Sequence, residues 1–230
     1  MSTPKYKPLI LHAHSTGPNP YKVAIVLSAL ELPYTIKLWE FGDSPTGVKG
    51  PKFLQISENG RVPALEDPNT GVVSWESGAV IHHLLRAYDK SNKLGPRGET
   101  PNSEPTEQDH VDFNKWEFFL VSSLGPMMGQ VNWYRHYNPT KNEDALARYE
   151  AQAYRTFDVL EGQLGKSGGE SVLPGGFSAV DAHFYPWVNQ YTYAELKLDR
   201  YPRIQKWLGV IGRMPAVKEA YERVPKGEKA

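Results

Sequence analysis

The order of β-prone and helical segments at the start of the chain restricts its fold more than any other feature of the sequence. Residues 8–12 form an apolar run before a turn-rich cluster, residues 22–32 carry apolar side chains at helical spacing, and residues 34–38 are β-rich again. These patterns predict a strand, a helix and a second strand. A helix between two strands of one sheet makes a crossover connection, so the two strands are expected to be parallel.

A predicted hairpin and a further helix complete this first segment. Asn59-Gly60 marks a turn, Val62-Pro63 begins a third strand, and the turn residues 68–71 separate it from a fourth strand. Residues 51–56 suit one or two helical turns, and residues 79–88 share an apolar helical face. The predicted order is βαβαββα, which is the order of a thioredoxin-like domain.

The strand signals vanish after residue 90. Residues 91–104 are rich in Pro, Gly, Ser and charge, as is typical of a linker. The spacing of Ser178 and Asp181 resembles a capping box at a helix start. Helices are predicted at 107–121, 127–136, 144–164, 179–193 and 203–211, with a short one after Pro215. We therefore expect an α/β domain over 1–90, a linker over 91–104 and an all-helical domain over 105–230.

The charge and cysteine content exclude several classes of function. The 230 residues include 26 Lys and Arg and 26 Asp and Glu, and this balance disfavours nucleic acid or an anionic membrane as partner. No apolar run has the length of a membrane span, and the N-terminus lacks a signal-peptide core, so a cytoplasmic protein is expected. The chain has no cysteine. Any thiol chemistry must therefore use a sulfur that arrives on a ligand.

Four short segments, in this order and spacing, point to a known family. They are Gly60 to Leu65, Trp75 to Ile81, Ser178 to Asp181 and Met214 to Val217. With them the chain resembles the cytosolic glutathione transferases along nearly its whole length. Residues 17–23 and 125–130 are similar to the fungal branch related to the nitrogen-regulator prion protein, and to bacterial Nu-type relatives. The resemblance implies glutathione as co-substrate, an apolar electrophile as second substrate, and a homodimer.

Asn19 and Ser15 are the two candidates for activating the glutathione thiol. A free thiol titrates near ~8.5, and a helix N-terminus or a hydrogen bond to sulfur lowers that pKa. Asn19 stands at the predicted start of the first helix, where it can act as an N-cap. The resemblance implies instead that its side-chain amide contacts the thiolate, whereas other classes of the family use a Ser shortly after strand one. Pro20 departs from the branch, which often has Gly there.

The remaining glutathione contacts are implied by the resemblance. Val62–Pro63 is expected to be cis, which exposes the backbone of Val62 to the cysteine of glutathione. Glu76 and Ser77 would hold the γ-glutamyl end at a helix N-terminus, and Lys49 and Arg61 are candidates for the glycine carboxylate. On the residues alone, a trans proline at a strand start, a simple helix cap and solvated basic side chains remain open.

A pair of histidines bears on the question of a metal site, and a group of thioether and aromatic side chains bears on the binding of the second substrate. His12 and His14 would share a face of the first strand, but a metal site needs a third ligand, so structural histidines and no metal are expected. Adaptable thioether and rigid aromatic side chains suit an apolar ligand. The candidates for the second-substrate pocket, some of which could instead form helix core, are Met127, Met128, Gln130, Trp133 and Tyr137.

The predicted function is a glutathione transferase that activates the thiolate for attack on an apolar electrophile. Glutathione-dependent disulfide reduction is the first alternative, because bacterial relatives suggest it. A specialised transferase or isomerase of secondary metabolism is the second alternative. A non-catalytic regulator is the third, and it is disfavoured because the long Asn/Gln-rich extension of the prion-like regulator does not precede the first predicted strand here.

Overall fold

The computed structural model describes residues 6–98 and 103–230, and the chain forms two compact units. The first unit comprises Met1–Ser91 and Met214–Ala230, and the second comprises Asn92–Arg213. Residues 1–5, at the start of the predicted first domain, and residues 99–102 of the predicted linker lie outside the described residues. None of the helices in the described ranges combines the length and hydropathy needed to cross a bilayer.

The first unit is built on a mixed sheet with the strand order β4-β3-β1-β2-β5. β1 and β2 are parallel and joined through α1, whereas β3 pairs antiparallel with both β1 and β4. This arrangement confirms the predicted thioredoxin-like order. Its elements before the second unit are β1 (Leu9–Ala13), α1 (Asn19–Ala29), β2 (Tyr34–Leu38), α2 (Pro51–Leu54), β3 (Ala64–Asp67), β4 (Val72–Trp75) and α3 (Ser77–Tyr88).

The C-terminal segment returns to the first unit, so the helical unit ends at Arg213 and not at residue 230 as the predicted boundary had it. α9 (Pro215–Arg223) packs on α1 and leads through a 3₁₀ turn to β5 (Glu228–Lys229). Arg223 lies 3.7 Å above the ring of Tyr34 and donates to its carbonyl oxygen. β5 then pairs with β2, an addition to the sheet that its two polar residues did not predict.

The second unit is helical in its described part. Its helices are α4 (Glu107–Phe119), α5 (Gly125–Asn132), α6 (Glu143–Lys166), α7 (Ala179–Val188) and α8 (Pro202–Ile211). α4 and α5 are each continued by a π-helical turn, at Leu120–Leu124 and Trp133–Tyr137. α7 ends at Val188, five residues before the predicted end at residue 193, and it contains Pro186, which lacks a donor N–H.

The capping box at the start of α7 is confirmed and is fully buried. The Asp181 carboxylate accepts from the Ser178 backbone N–H at 2.9 Å and from the Ser178 hydroxyl at 3.1 Å. It also accepts from the Val172 N–H at 2.8 Å and from the Trp207 indole at 2.9 Å. Burial raises the pKa of Asp181, and these donors oppose that rise. One carboxylate therefore joins a loop and two helices.

Candidate functional site

Two adjoining cavities lie in the first unit, along the edge where β1, β2 and β4 end and β3 begins. The larger has a volume of about 430 Å³ and the smaller about 150 Å³. The larger is lined by Thr16, Gly17, Pro18, Asn19, Pro20, Phe41, Gly42, Val48, Lys49, Gly60, Arg61 and Val62. The smaller is lined by Asn19, Asn59, Arg61, Val62, Pro63, Trp75, Glu76 and Ser77. Segments from four connections, β1–α1, β2–α2, α2–β3 and β4–α3, thus meet at one end of the sheet.

Asn19 borders both cavities, whereas Ser15 borders neither. Helix α1 begins at Asn19, with Pro18 in the N-cap position. Ser15 is exposed, and its carbonyl oxygen accepts from the Tyr21 hydroxyl at 2.8 Å. The positive end of the α1 dipole and an amide side chain therefore meet at the junction of the cavities.

The segment before β3 carries the predicted cis peptide bond between Val62 and Pro63. Gly60 has φ +58°, and a Cβ there would lie 2.7 Å from the Val48 carbonyl oxygen and 2.8 Å from the Lys49 side chain. Only glycine fits this close left-handed turn. The turn brings Val62 to the wall that the two cavities share.

Glu76 and Ser77 lie at the N-terminus of α3, on the smaller cavity. Glu76 is the N-cap with φ 69°, and the first intrahelical bond runs from the Val80 N–H to the Glu76 carbonyl oxygen. The amides of the first turn precede that bond and are suited to an anion. Ser77 is buried and Glu76 is exposed, with Asn59 donating to the Glu76 carboxylate at 3.5 Å.

The two candidate cations lie on the larger cavity. Lys49 donates through Nζ to the Asn59 carbonyl oxygen at 2.7 Å. Arg61 is exposed and borders both cavities. Positive charge on the larger cavity and a helix N-terminus on the smaller one suit a ligand that carries a carboxylate at each end.

A buried carboxylate anchors α3 to the sheet. Asp67 at the end of β3 accepts from the Tyr88 hydroxyl at 2.7 Å, from the Thr70 hydroxyl at 2.7 Å and from His83 at 2.8 Å. Burial opposes ionisation of Asp67, but these hydrogen bonds hold its pKa well below the usual range. Because His83 and Tyr88 belong to α3, the network supports the helix that carries Ser77.

The contacts of His12 are those of a structural residue. The Trp39 indole N–H can only donate, and it lies 2.9 Å from His12 Nδ1, so the ring proton is on Nε2. Nε2 then donates to the Glu66 carboxylate at 2.8 Å. Burial lowers the pKa of His12, and the bond to Glu66 partly offsets this effect. The described residues hold no group of three His, Cys, Asp or Glu side chains that could bind a metal ion.

Phe41 and Asn59 are site residues that the sequence analysis missed. Phe41 is 63% exposed, borders the larger cavity and stacks on His14 with ring centroids 3.8 Å apart. The position of Phe41 shortly after β2 was the available signal, because the loops that follow parallel strands meet at one edge of the sheet.

The candidate second-substrate residues of the helical unit do not share one environment. Met128 is fully buried in the core, and that burial leaves it no surface for a ligand, so its assignment to a pocket does not hold. Met127 is half-buried, and Gln130 is exposed. Trp133 and Tyr137 are exposed and stack at 6.3 Å, and the Tyr137 hydroxyl bonds that of Tyr193 at 2.6 Å. Helical periodicity, which turns Met128 inward, separates these neighbours in sequence.

Models of one protein family match residues in both units of this chain. A model of the glutathione S-transferase N-terminal domain matches residues 7–86, and one of the C-terminal domain matches residues 143–209. The chain is 32% identical to the glutathione S-transferase-like protein gedE of Aspergillus terreus, over 88% of this chain and 90% of that protein. It is 29% identical to protein URE2 of Meyerozyma guilliermondii, over 91% of this chain and 78% of that protein.

Solved structures agree with the sequence relatives. The glutathione transferase URE2P6 of Phanerochaete chrysosporium, in complex with oxidized glutathione, superposes with a TM-score of 0.83 at 32% identity, over 96% of this chain and 97% of that one. A glutathione transferase homologue of Lodderomyces elongisporus, with two glutathione molecules per subunit, has a TM-score of 0.83 at 26% identity, over 94% and 98%. The family matches over both units and the likeness to URE2 proteins lead to one conclusion: this chain belongs to the glutathione transferase family, within its Ure2-like group.

Proposed function

We infer that this protein is an enzyme that binds glutathione and activates its thiol for attack on an apolar electrophile. The observation that carries this proposal is the position of Asn19, at the N-terminus of α1 and on the boundary of both cavities. A thiol at that point faces an amide donor and the positive end of a helix, and both favour the thiolate.

The charges of the two cavities suit the two ends of glutathione. In the proposed mode the γ-glutamyl carboxylate meets Ser77 and the first turn of α3, and its ammonium meets the exposed Glu76 carboxylate. The cysteine backbone pairs with Val62, beside the cis bond to Pro63. The glycine carboxylate then lies in the larger cavity with Lys49 and Arg61. Solved relatives with bound glutathione support this choice of ligand.

The helical unit and a second subunit have proposed roles as well. The exposed aromatic side chains Trp133 and Tyr137, with Met127 and Gln130, are proposed to contribute to the electrophile pocket. A homodimer is proposed on the family relationship, and light scattering coupled to size-exclusion chromatography tests it. A cytoplasmic location is proposed as well, and a fluorescent fusion to the full chain tests it.

Glutathione-dependent disulfide exchange is a second candidate function. It is favoured by a relative solved with oxidized glutathione and by another solved with two glutathione molecules per subunit. In this reaction a glutathione thiolate attacks one sulfur of a disulfide, a new S–S bond forms, and the other sulfur leaves as a thiolate. The protein contributes no cysteine of its own.

Two further functions are candidates for this chain. One is a specialised transferase or isomerase of secondary metabolism, for which an electrophilic biosynthetic intermediate would be the substrate. The URE2 proteins, one of which is described as a nitrogen regulation fragment of a yeast prion protein, support a regulatory role. A regulator would bind glutathione without turnover.

Calorimetry and turnover assays separate these functions. We expect the purified chain to bind glutathione and to conjugate it with at least one haloaromatic or epoxide substrate. Turnover of a mixed disulfide of glutathione alone would favour the exchange reaction, and binding without turnover of any substrate would favour a regulator. Absence of glutathione binding at millimolar concentration would overturn the proposal as a whole.

A further inference from the structure

Phe41 is a large apolar side chain that remains exposed at the proposed glutathione site. It lies shortly after the end of β2 and is 63% exposed. Single exposed apolar residues are common on protein surfaces, so exposure alone carries no argument. Among the exposed large apolar residues in the described part of the chain, however, Phe41 is the one that borders either cavity. Asn19 borders the same cavity, so Phe41 lies where the proposed attack by the thiolate would take place.

The Phe41 ring is held in place by a stack on His14. The two ring centroids are 3.8 Å apart, with an interplanar angle of 26°. His14 Nδ1 lies 3.1 Å from the backbone nitrogen of Thr16 and 3.0 Å from its hydroxyl oxygen. A backbone N–H can only donate, so Nδ1 carries no proton and accepts both bonds. The histidine is thereby fixed on the β1–α1 connection, and it supports an aromatic surface that is ordered before any ligand binds.

The lining of the larger cavity combines charged and apolar groups. Lys49 and Arg61 supply positive charge, which the proposed function assigns to the glycine carboxylate of glutathione. Phe41 supplies apolar surface together with Pro18 and Pro20. Glutathione is a polar tripeptide with no aromatic or aliphatic side chain of its own, so this apolar surface suits the group that becomes joined to its sulfur. The cavity volume of about 430 Å³ lies within the range of small-molecule sites.

We propose that Phe41 is a specificity-determining residue that selects a second substrate with a planar aromatic ring beside its electrophilic atom. The inference rests on the proposed activation of glutathione at Asn19. The substrate ring packs against the exposed surface of Phe41 and extends the stack with His14. Contact between two aromatic rings is more favourable than the buried area alone accounts for, so an aromatic ring is favoured over a saturated ring of the same size.

Two conjugates of glutathione test this selection without depending on turnover. S-benzylglutathione and S-(cyclohexylmethyl)glutathione differ only in whether the six-membered ring is aromatic. Calorimetry gives the Kd of each for wild type and for Phe41→Leu, in which an apolar side chain remains but the aromatic face is lost. Phe41→Leu should weaken the benzyl conjugate relative to the cyclohexylmethyl conjugate by roughly twofold to tenfold. Because the two proteins are compared through a ratio, the difference in hydrophobicity between the two rings cancels.

Two variants and glutathione itself serve as controls. Phe41→Tyr keeps an aromatic face and should keep the wild-type ratio of Kd values. Phe118→Leu should keep it as well, because Phe118 is 68% exposed but borders neither cavity. Glutathione, which lacks the ring, should bind Phe41→Leu as tightly as it binds wild type. Phe41 is exposed, so its substitution leaves the core intact, and Phe41→Ile repeats the test if Phe41→Leu does not fold.

Each result decides the proposal. An unchanged ratio in Phe41→Leu, an equal change in Phe118→Leu or a lost preference in Phe41→Tyr overturns the role of Phe41 and leaves the proposed function intact. Binding of glutathione without binding of either conjugate has the same meaning. If wild type binds neither glutathione nor the conjugates, the proposed function and this inference fail together.

Discussion

At the scale of single residues, the proposed chemistry depends on which polar group would face the glutathione sulfur. Asn19 borders both cavities, and its amide can donate without carrying charge. Ser15 is only four positions away in sequence, but it is exposed and outside both cavities. The turn through Gly17, with φ 87°, separates the two side chains.

Substitution of Asn19 separates its electrostatic role from its structural role. Asn19→Ala should raise the pKa of bound glutathione by about one unit, equivalent to about 1.4 kcal/mol, because the helix end still favours the thiolate. Asn19→Asp should stay as stable as wild type, because a carboxylate suits the first turn of a helix, but it should lose most activity by repelling the thiolate. Thiolate absorbance against pH measures the thiol pKa, and thermal unfolding and turnover assays measure the stability and activity of Asn19→Asp.

Ser15→Ala is the matched control for Asn19. It should keep both the wild-type thiol pKa and the wild-type activity. An active Asn19→Asp together with an inactive Ser15→Ala would transfer the catalytic assignment to Ser15.

At the scale of secondary-structure elements, two capping boxes of the same design lie in opposite environments. Asp181 at the start of α7 is fully buried and also accepts from the Trp207 indole N–H, whereas Asp109 at the start of α4 lies near the surface and bonds Thr106. Burial removes the competing water, so the same motif has a larger effect on the free energy of unfolding when it is buried.

Asn substitutions of the two aspartates test this difference. Asp181→Asn replaces an acceptor oxygen by an NH₂ group that faces donors, so it should lower the free energy of unfolding by about 2–4 kcal/mol. A fall of that size corresponds to roughly 5–10 °C in Tm. Asp109→Asn should change Tm much less. Equal shifts in calorimetric Tm for the two variants would contradict the role of burial.

His12 of β1 contacts Glu66 of β3 and Trp39, the residue that follows β2, and it makes the stability of the first unit depend on pH. Its folded pKa is lowered by burial, whereas its unfolded pKa is near ~6.5. Below that pH the unfolded chain binds a proton that the folded chain does not, so the free energy of unfolding falls as pH decreases until the folded pKa is reached. Above the unfolded pKa, the contribution of neutral His12 to the free energy of unfolding is fully present.

His12→Gln tests this dependence by chemical denaturation from pH 7.5 to pH 5. The variant should be less stable at pH 7.5 by about 1–2 kcal/mol, because a flexible glutamine amide does not hold the Trp39 indole and the Glu66 carboxylate in the geometry of the rigid ring. The difference in the free energy of unfolding between wild type and variant should become smaller as pH falls. Only the wild-type chain has an imidazole at position 12 that takes up a proton on unfolding. A difference that stays constant with pH would exclude the linkage, and substitution of the exposed His110 of α4 by Gln serves as the control.

At the scale of the whole molecule, the last 17 residues of the chain, Met214–Ala230, belong with the first unit. Arg223 packs on Tyr34, and the Ala230 N–H donates to the Leu38 carbonyl oxygen at 2.9 Å. A Cβ at Gly227 would lie 2.6 Å from the Ile36 side chain. This glycine permits the tail to approach β2.

Gly227→Ala should therefore destabilise the chain by about 1–3 kcal/mol, because overpacking must displace the tail or the strand. Gly162→Ala is the matched control. It lies in α6 with open space around the added methyl group, and it should stabilise the chain by about 0.5–1 kcal/mol. Denaturant unfolding measures both changes, and a neutral or stabilising Gly227→Ala would show that the tail does not pack closely on β2.

Sequence alone predicted the elements whose signals are local. The crossover of β1, α1 and β2, the β3–β4 hairpin and the α7 capping box depend on periodicity and on turn or cap residues a few positions apart. The family resemblance supplied the candidate residues at positions 19, 62, 63, 76 and 77, all of which line the two cavities. Helix ends were less accurate, as at α7, because capping and packing compete there.

Only the tertiary structure decided features that join distant segments. A helical pattern could not show that Met128 turns into the core while Trp133 stays exposed, since that depends on which helices cover each face. The two polar residues of β5 form a strand only because the edge of β2 is available to them. In the sequence Lys22 is indistinguishable from a surface lysine, and only the fold shows that it is buried with Ser77 of α3 beside it. Local backbone preferences depend on neighbouring residues in the sequence. The environment of a side chain depends on segments that meet only after the chain has folded.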